Sequence, residues 1–133
     1  KGIRMGLPIC SYTYYSEMSM HARQTGPQDL AIIVSYTGLT VEMEKIARIL
    51  HYNKCKIVAI TSNAANEIAN LSDINFQVGN TESYYRIGGI ESRTSMQCVL
   101  DIIFAGYYNK TEKAKDVSKK TFVNDTFSAK WEG

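Results

Sequence analysis

Apolar residues in this chain fall into two alternating patterns. "INFQV" (Ile74–Val78) predicts a strand, and "DLAIIVS" (Asp29–Ser35) and "CKIVAIT" (Cys55–Thr61) are short, largely apolar runs rich in β-branched residues. Such runs predict strands covered on both faces, as in a parallel sheet. "LPICSY" (Leu7–Tyr12), which follows Gly6, predicts a further strand. Between these runs the period lengthens. Ser16–Gln24 has helical character and stops at Gly26-Pro27, a strong breaker. Thr40–Tyr52 reads as an amphipathic helix. Val41, Met43, Ile46, Ala47, Ile49 and Leu50 lie on one face, and Glu42, Glu44, Lys45 and Arg48 on the other. A short helix is expected over Asn66–Leu71. A long one over Ile90–Tyr108 carries Met96, Val99, Leu100, Ile103, Phe104 and Tyr107 at helical spacing. Gly79–Gly89 is polar and reads as a loop. Beyond Lys110, Val123, Phe127 and Trp131 recur at i, i+4, i+8, which predicts a helical tail over 111–133 that docks on a partner subunit.

Strands that alternate with helices define an α/β domain, with parallel strands joined by right-handed crossovers. Ligands in such sheets lie beyond the carboxyl ends of the strands. That rule brings "SYTGLT" (Ser35–Thr40), Thr61-Ser62-Asn63 and the Gly79–Gly89 loop to one edge.

Bulk properties narrow the picture without naming a function. A length of 133 residues and 44% hydrophobic content suit one domain with a real core. The formal charge of +2, from 15 basic and 13 acidic residues, comes with no basic stripe, so a nucleic-acid surface is not indicated for this segment. Cys10, Cys55 and Cys98 lie far apart and form no CxxC pair. They read as small buried hydrophobes of a reduced, cytoplasmic protein. No run reaches transmembrane length and no signal peptide is visible, so no membrane association is expected. The chain opens on Lys1 rather than Met, which suggests an excerpt or a processed product. No metal or other cofactor is expected.

The one stretch with chemistry is "VSYTGLT" (Val34–Thr40). Ser35 ends a strand, Gly38 permits a tight turn, and Thr40 stands where a helix N-cap belongs. Amide N–H groups left without helical partners gather there at the positive end of the helix dipole, beside the hydroxyls of Ser35, Thr37 and Thr40. Such a nest suits a phosphate dianion without any lysine. The same residues also make an ordinary strand-to-helix turn, and their spacing alone decides nothing. They form neither a Walker loop nor a dinucleotide fingerprint.

The ordered succession of motifs resembles the sugar isomerase (SIS) domain, in the version found in RpiR-type bacterial transcription regulators. The resemblance rests on Ser35, Thr37, Gly38, Thr40 and Glu42. It continues through Lys56–Thr61, Ile68 to Asp73, Ser92-Arg93, and Asp101 to Phe104, and runs from about Gly6 to Tyr108. It implies a three-layer α/β sandwich with a parallel, flavodoxin-like sheet, organised as a SIS domain over 1–110 followed by the tail. It also implies that the first strand and helix of the domain, with a second ligand-lining turn, precede the chain's start. That strand would be central, between Leu7–Tyr12 and Asp29–Ser35. By the same resemblance Ser35, Tyr36, Thr37, Gly38 and Thr40 hold the phosphate of a phosphosugar, while Glu91 and Ser92 close its sugar end. DNA would be contacted only through an absent N-terminal helix-turn-helix domain.

Three functions are then open. A phosphosugar sensor needs phosphate capture and a movable element, for which Gly79–Gly89, with Tyr84 and Tyr85, is the candidate. An aldose/ketose-phosphate isomerase needs a base, and Glu91, Glu42 and His21 are candidates; His51, at a helix end, reads as a surface residue or a dipole partner. No compact catalytic set emerges from the spacing. A dimerisation scaffold would rely on the Ile90–Tyr108 helix and the Trp131 tail. The reading preferred is a sensor domain of a transcription regulator, assembled as a homodimer or higher oligomer.

Overall fold

The computed structural model describes residues 6–62, 65–79 and 93–111. The elements run in the order α1 (Tyr15–Ala22), β1 (Leu30–Val34), α2 (Val41–Tyr52), β2 (Lys56–Thr61), α3 (Glu67–Leu71) and β3 (Ile74–Gln77). A fourth helix, α4, covers 93–111. The three strands form one parallel sheet in the order β1-β2-β3. Leu30 stands opposite Lys56 and Val34 opposite Ile60, while Val58 faces Ile74 and Thr61 faces Gln77. The parallel α/β class is the one the alternating pattern implies.

This register shows which residues of the strands share a face. Side chains alternate across the pleat, so Ala31, Ile33, Ile57 and Ala59 share one face, and Ile32, Val34, Val58, Ile60, Ile74 and Phe76 share the other. The first face packs on α2 and α3. Ile33, Ile57 and Ala59 join Ile46, Ala47, Leu50, Ile68, Cys55 and Ala22 in the core cluster. Ile57, Ile60 and Ile68 are fully buried, each burial contributing about 1.5–3 kcal/mol. Successive right-handed crossovers in one direction place both connecting helices on the same face, and α2 and α3 do pack against each other and against β2.

Three expectations need correction. Leu7–Tyr12 is not a strand. Pro8 offers no N–H to a ladder, and the Ile9 N–H bonds back to the Leu7 carbonyl at 2.9 Å, closing a tight turn around the proline. Among the described residues nothing pairs with β1 on its side away from β2. Second, Val41 is 57% exposed rather than part of the apolar face, because it sits in the first turn of α2, ahead of the stripe that reaches the sheet. Third, only Cys55 is a buried cysteine; Cys10 and Cys98 are exposed. Burial raises the Cys55 thiol above its ordinary pKa by penalising the thiolate.

The sheet and α1–α3 lie in the compact unit Cys10–Val99. From Leu100 onward α4 falls in the second unit. Its residues Met96, Val99, Leu100, Ile103 and Phe104 are half-buried, whereas Tyr107 is exposed. Positions 112–133, and with them the expected tail helix, lie outside the described residues.

Candidate functional site

Parallel strands bring the carboxyl ends of β1, β2 and β3 to one edge, and the first of these ends carries the candidate site. The Ser35 N–H makes the last rung of the β1–β2 ladder, 3.1 Å from the Ile60 carbonyl. The chain then reverses. The Gly38 N–H reaches the Ser35 carbonyl at 3.2 Å, closing a four-residue turn, and Gly38 takes the left-handed conformation at φ +68°. The Leu39 N–H bonds to Thr37 Oγ1 at 3.2 Å. Thr40 follows at the N-cap position of α2, its carbonyl accepting from the Glu44 N–H at 3.0 Å.

Thr40 departs from its expected structural role. It occupies the N-cap position, yet its side chain makes no capping bond. The first-turn amides of α2 therefore keep the lack of helical partners inherent to every helix start, and the Thr40 hydroxyl is not spent on them. Ser35 is buried at 7% exposure, and its hydroxyl makes no hydrogen bond among the described residues.

The loop after β2 braces this turn. Ser62 donates to the Tyr36 carbonyl twice, from its N–H at 2.7 Å and from its hydroxyl at 2.7 Å. A trans peptide points its C=O and its N–H in opposite directions. With the Tyr36 carbonyl drawn onto Ser62, the Thr37 N–H is turned away from that loop, and it has no hydrogen-bond partner among the described residues. Asn66 is buried beside the turn. Its Oδ1 caps α3 by accepting from the Ala69 N–H at 2.8 Å, and its Nδ2 donates to Thr61 Oγ1 at 3.4 Å. Thr61 Oγ1 in turn donates to Asn75 Oδ1 at 3.1 Å, and Gln77 Nε2 reaches the Ser62 carbonyl at 3.4 Å. All three strand ends are thus hydrogen-bonded into one edge.

The resulting patch is rich in donors. Ser35–Thr40 contains no lysine, arginine or histidine, so any anion held there would rest on amide and hydroxyl groups and on the positive end of α2. Glu42 and Glu44 occupy the first turn of the same helix and complement its dipole. Such groups suit recognition of a phosphate or a similar oxyanion.

Among the described residues, the other candidates do not join this patch into a catalytic set. His21 lies in α1 and stacks on Tyr12 with ring centroids 4.2 Å apart. His51, at the end of α2, has its Nδ1 3.3 Å from the Leu71 carbonyl, which fits its reading as a surface residue. Glu42 is exposed on α2. Glu91, Ser92, Asn63 and most of the Gly79–Gly89 loop, including Tyr84 and Tyr85, lie outside the described residues, and Arg93 is exposed at the start of α4. Among the described residues no cluster of His, Cys, Asp or Glu could hold a metal. Ser62 and Asn66 were not expected to brace the turn. The alignment of strand ends along one edge was the sequence signal for Ser62, whereas Asn66 read only as a helix start.

Comparison with known proteins bears on this geometry. The family model described as the SIS domain matches residues 4–105. An uncharacterised HTH-type transcriptional regulator of Clostridium perfringens is 25% identical over 104 residues, covering 78% of this chain and 37% of that protein. The chain thus spans little more than a third of that relative's length. Among solved structures, the Vibrio vulnificus NanR protein complexed with ManNAc-6P superposes with a TM-score of 0.76 at 20% identity, over 90% of this chain and 45% of that one. The sugar isomerase domain of an RpiR transcription factor from Sphaerobacter thermophilus gives a TM-score of 0.55 at 13% identity, over 71% and 52%. Because the family match takes in most of the chain and the sheet edge with its S-Y-T-G-L-T turn, this protein belongs to the SIS domain family.

Proposed function

We propose that the chain is the sugar-phosphate-sensing region of a bacterial transcription regulator, and that it grips the phosphate at Ser35–Thr40. The observation carrying this reading is the Ser35–Thr40 turn itself. It combines a buried, unpartnered Ser35 hydroxyl, a Thr37 N–H turned away from its bracing loop, a left-handed Gly38 and an uncapped α2 N-terminus. Charge-assisted hydrogen bonds contribute about 1.5–3 kcal/mol each before ordering costs, so a few of them suffice for a monophosphate. The relatives support the regulatory side: the matched curated proteins are HTH-type regulators, and the NanR structure is described with a sugar phosphate bound. In this reading Glu91 and Ser92 contact the sugar, the working protein is a cytoplasmic homodimer or higher oligomer, and DNA is bound by a separate N-terminal domain. Isomerisation is the weaker reading, since His21 and His51 sit on separate elements away from the turn.

A thermal-shift screen of hexose, amino-sugar and pentose phosphates tests the proposal. A ligand at about a hundred times its Kd stabilises a fold by roughly 2.7 kcal/mol, equivalent to a rise of roughly 10 °C for a domain of this size. The rise should vanish in Thr37→Ala and Thr40→Ala. No shift with any sugar phosphate would remove the sensor reading, and turnover lost in Glu91→Gln would replace it with an isomerase.

A further inference from the structure

Ser62 and Asn66, which follow β2, also hold the shape of the turn after β1. A Cβ built on Gly38 would fall inside the van der Waals shell of the Asn66 carboxamide, 2.7 Å from Oδ1. The carboxamide therefore fills the space in which a side chain at position 38 would lie. Asn66 is itself held at both ends, by the Ala69 N–H and by Thr61 Oγ1, and it is 4% exposed. Ser62 adds a second restraint on the same turn through the Tyr36 carbonyl.

We propose that Asn66 is a positioning residue for the anion site: its carboxamide, seated against Gly38, sets the turn that presents the Thr37 amide. The inference rests on the phosphate reading of Ser35–Thr40 for its purpose, but not for its geometry. Close packing leaves the turn little room to relax, so a change in the volume beneath Gly38 must reach the Thr37–Gly38 peptide. A residue serving only as the cap of α3 would leave that peptide alone.

The 133-residue chain separates these roles. Asn66→Ser keeps an N-cap oxygen for α3 but empties the seat, whereas Asn66→Asp fills it with an isosteric group. In amide-resolved NMR of the ligand-free protein, Asn66→Ser should move the Thr37 and Gly38 resonances well beyond those of Asn66→Asp. Titrated with inorganic phosphate, Asn66→Ser should bind at least about tenfold more weakly than the unsubstituted chain, a change of about 1.4 kcal/mol. Thr37 and Gly38 resonances unmoved in Asn66→Ser would overturn the proposal. So would unchanged phosphate affinity in a chain that binds phosphate. If the unsubstituted chain binds no phosphate or sugar phosphate, the site reading falls, and the ligand-free spectra still decide whether Asn66 shapes the turn. A double-mutant comparison covers the case of a poorly folding single variant. Gly38→Ala should cost less melting temperature in the Asn66→Ser background than in the unsubstituted chain; equal costs would count against the proposal.

Discussion

Gly38 is where backbone and neighbour constrain the chain together. Its φ of +68° suits glycine, and a side chain there would incur about 1–2 kcal/mol for the left-handed conformation, besides displacing Asn66. Gly38→Ala should therefore lower the melting temperature and abolish sugar-phosphate stabilisation, while far-ultraviolet circular dichroism keeps its α/β signature. Asp73 gives a test unrelated to ligand. The Ile57 N–H at 2.8 Å, followed by the Lys56 ammonium at 3.1 Å, holds its carboxyl below the usual aspartate value. A depressed carboxylate pKa means that the unfolded chain binds more protons in acid, so the stabilisation is present above about pH 4 and is lost as pH falls below it. Asp73→Asn should flatten the acid limb of a plot of melting temperature against pH and leave its slope near neutrality unchanged. Gly38 as a turn-former was legible in "SYTGLT". The partner that makes glycine necessary was not, because Asn66 reaches it across the sheet edge rather than along the sequence.

Elements were the most legible level. β1, β2 and β3 fall inside the apolar runs assigned to them, and α2 and α3 begin one residue after the expected starts. The β1 and β2 runs are unambiguous because both of their faces are apolar, so a register slip would not turn them polar. Leu7–Tyr12 failed for the opposite reason: hydrophobicity alone does not make a strand without a ladder, and Pro8 interrupts the donors one would need. The helix starts carried a similar ambiguity. Thr40 and Asn66 occupy equivalent N-cap positions, yet only Asn66 makes the capping bond. Capping chemistry in the sequence marks the position and not the bond. The core-facing side of β2 offers the clearest stability test. Ile57 is fully buried between α2 and α3, and Ile57→Ala should destabilise by about 2–5 kcal/mol, measured as a drop in the urea midpoint at unchanged slope.

For the molecule as a whole, parallel topology turns three separate sequence segments into one edge. Topology could be argued from strand order, and the Ser35–Thr40 turn could be placed on that edge from the sequence. The bracing hydrogen bonds that Ser62, Thr61 and Gln77 donate depend on exact register and could not. The absence of basic side chains from Ser35–Thr40 has a further consequence. Amides and hydroxyls keep their protons across the physiological range, and histidine, the side chain that ordinarily titrates there, is missing from the turn. The proton that matters would then belong to the ligand. A phosphate monoester loses its second proton near pH 6, so affinity should be flat above about pH 7 and fall through the ligand's own ionisation below it. Isothermal titration at several pH values checks this: the midpoint should follow the second pKa of whichever monoester or phosphonate is used, and substitutions elsewhere in the protein should not move it. The turn would act as a gauge of the ligand's charge state, with its own charge held constant.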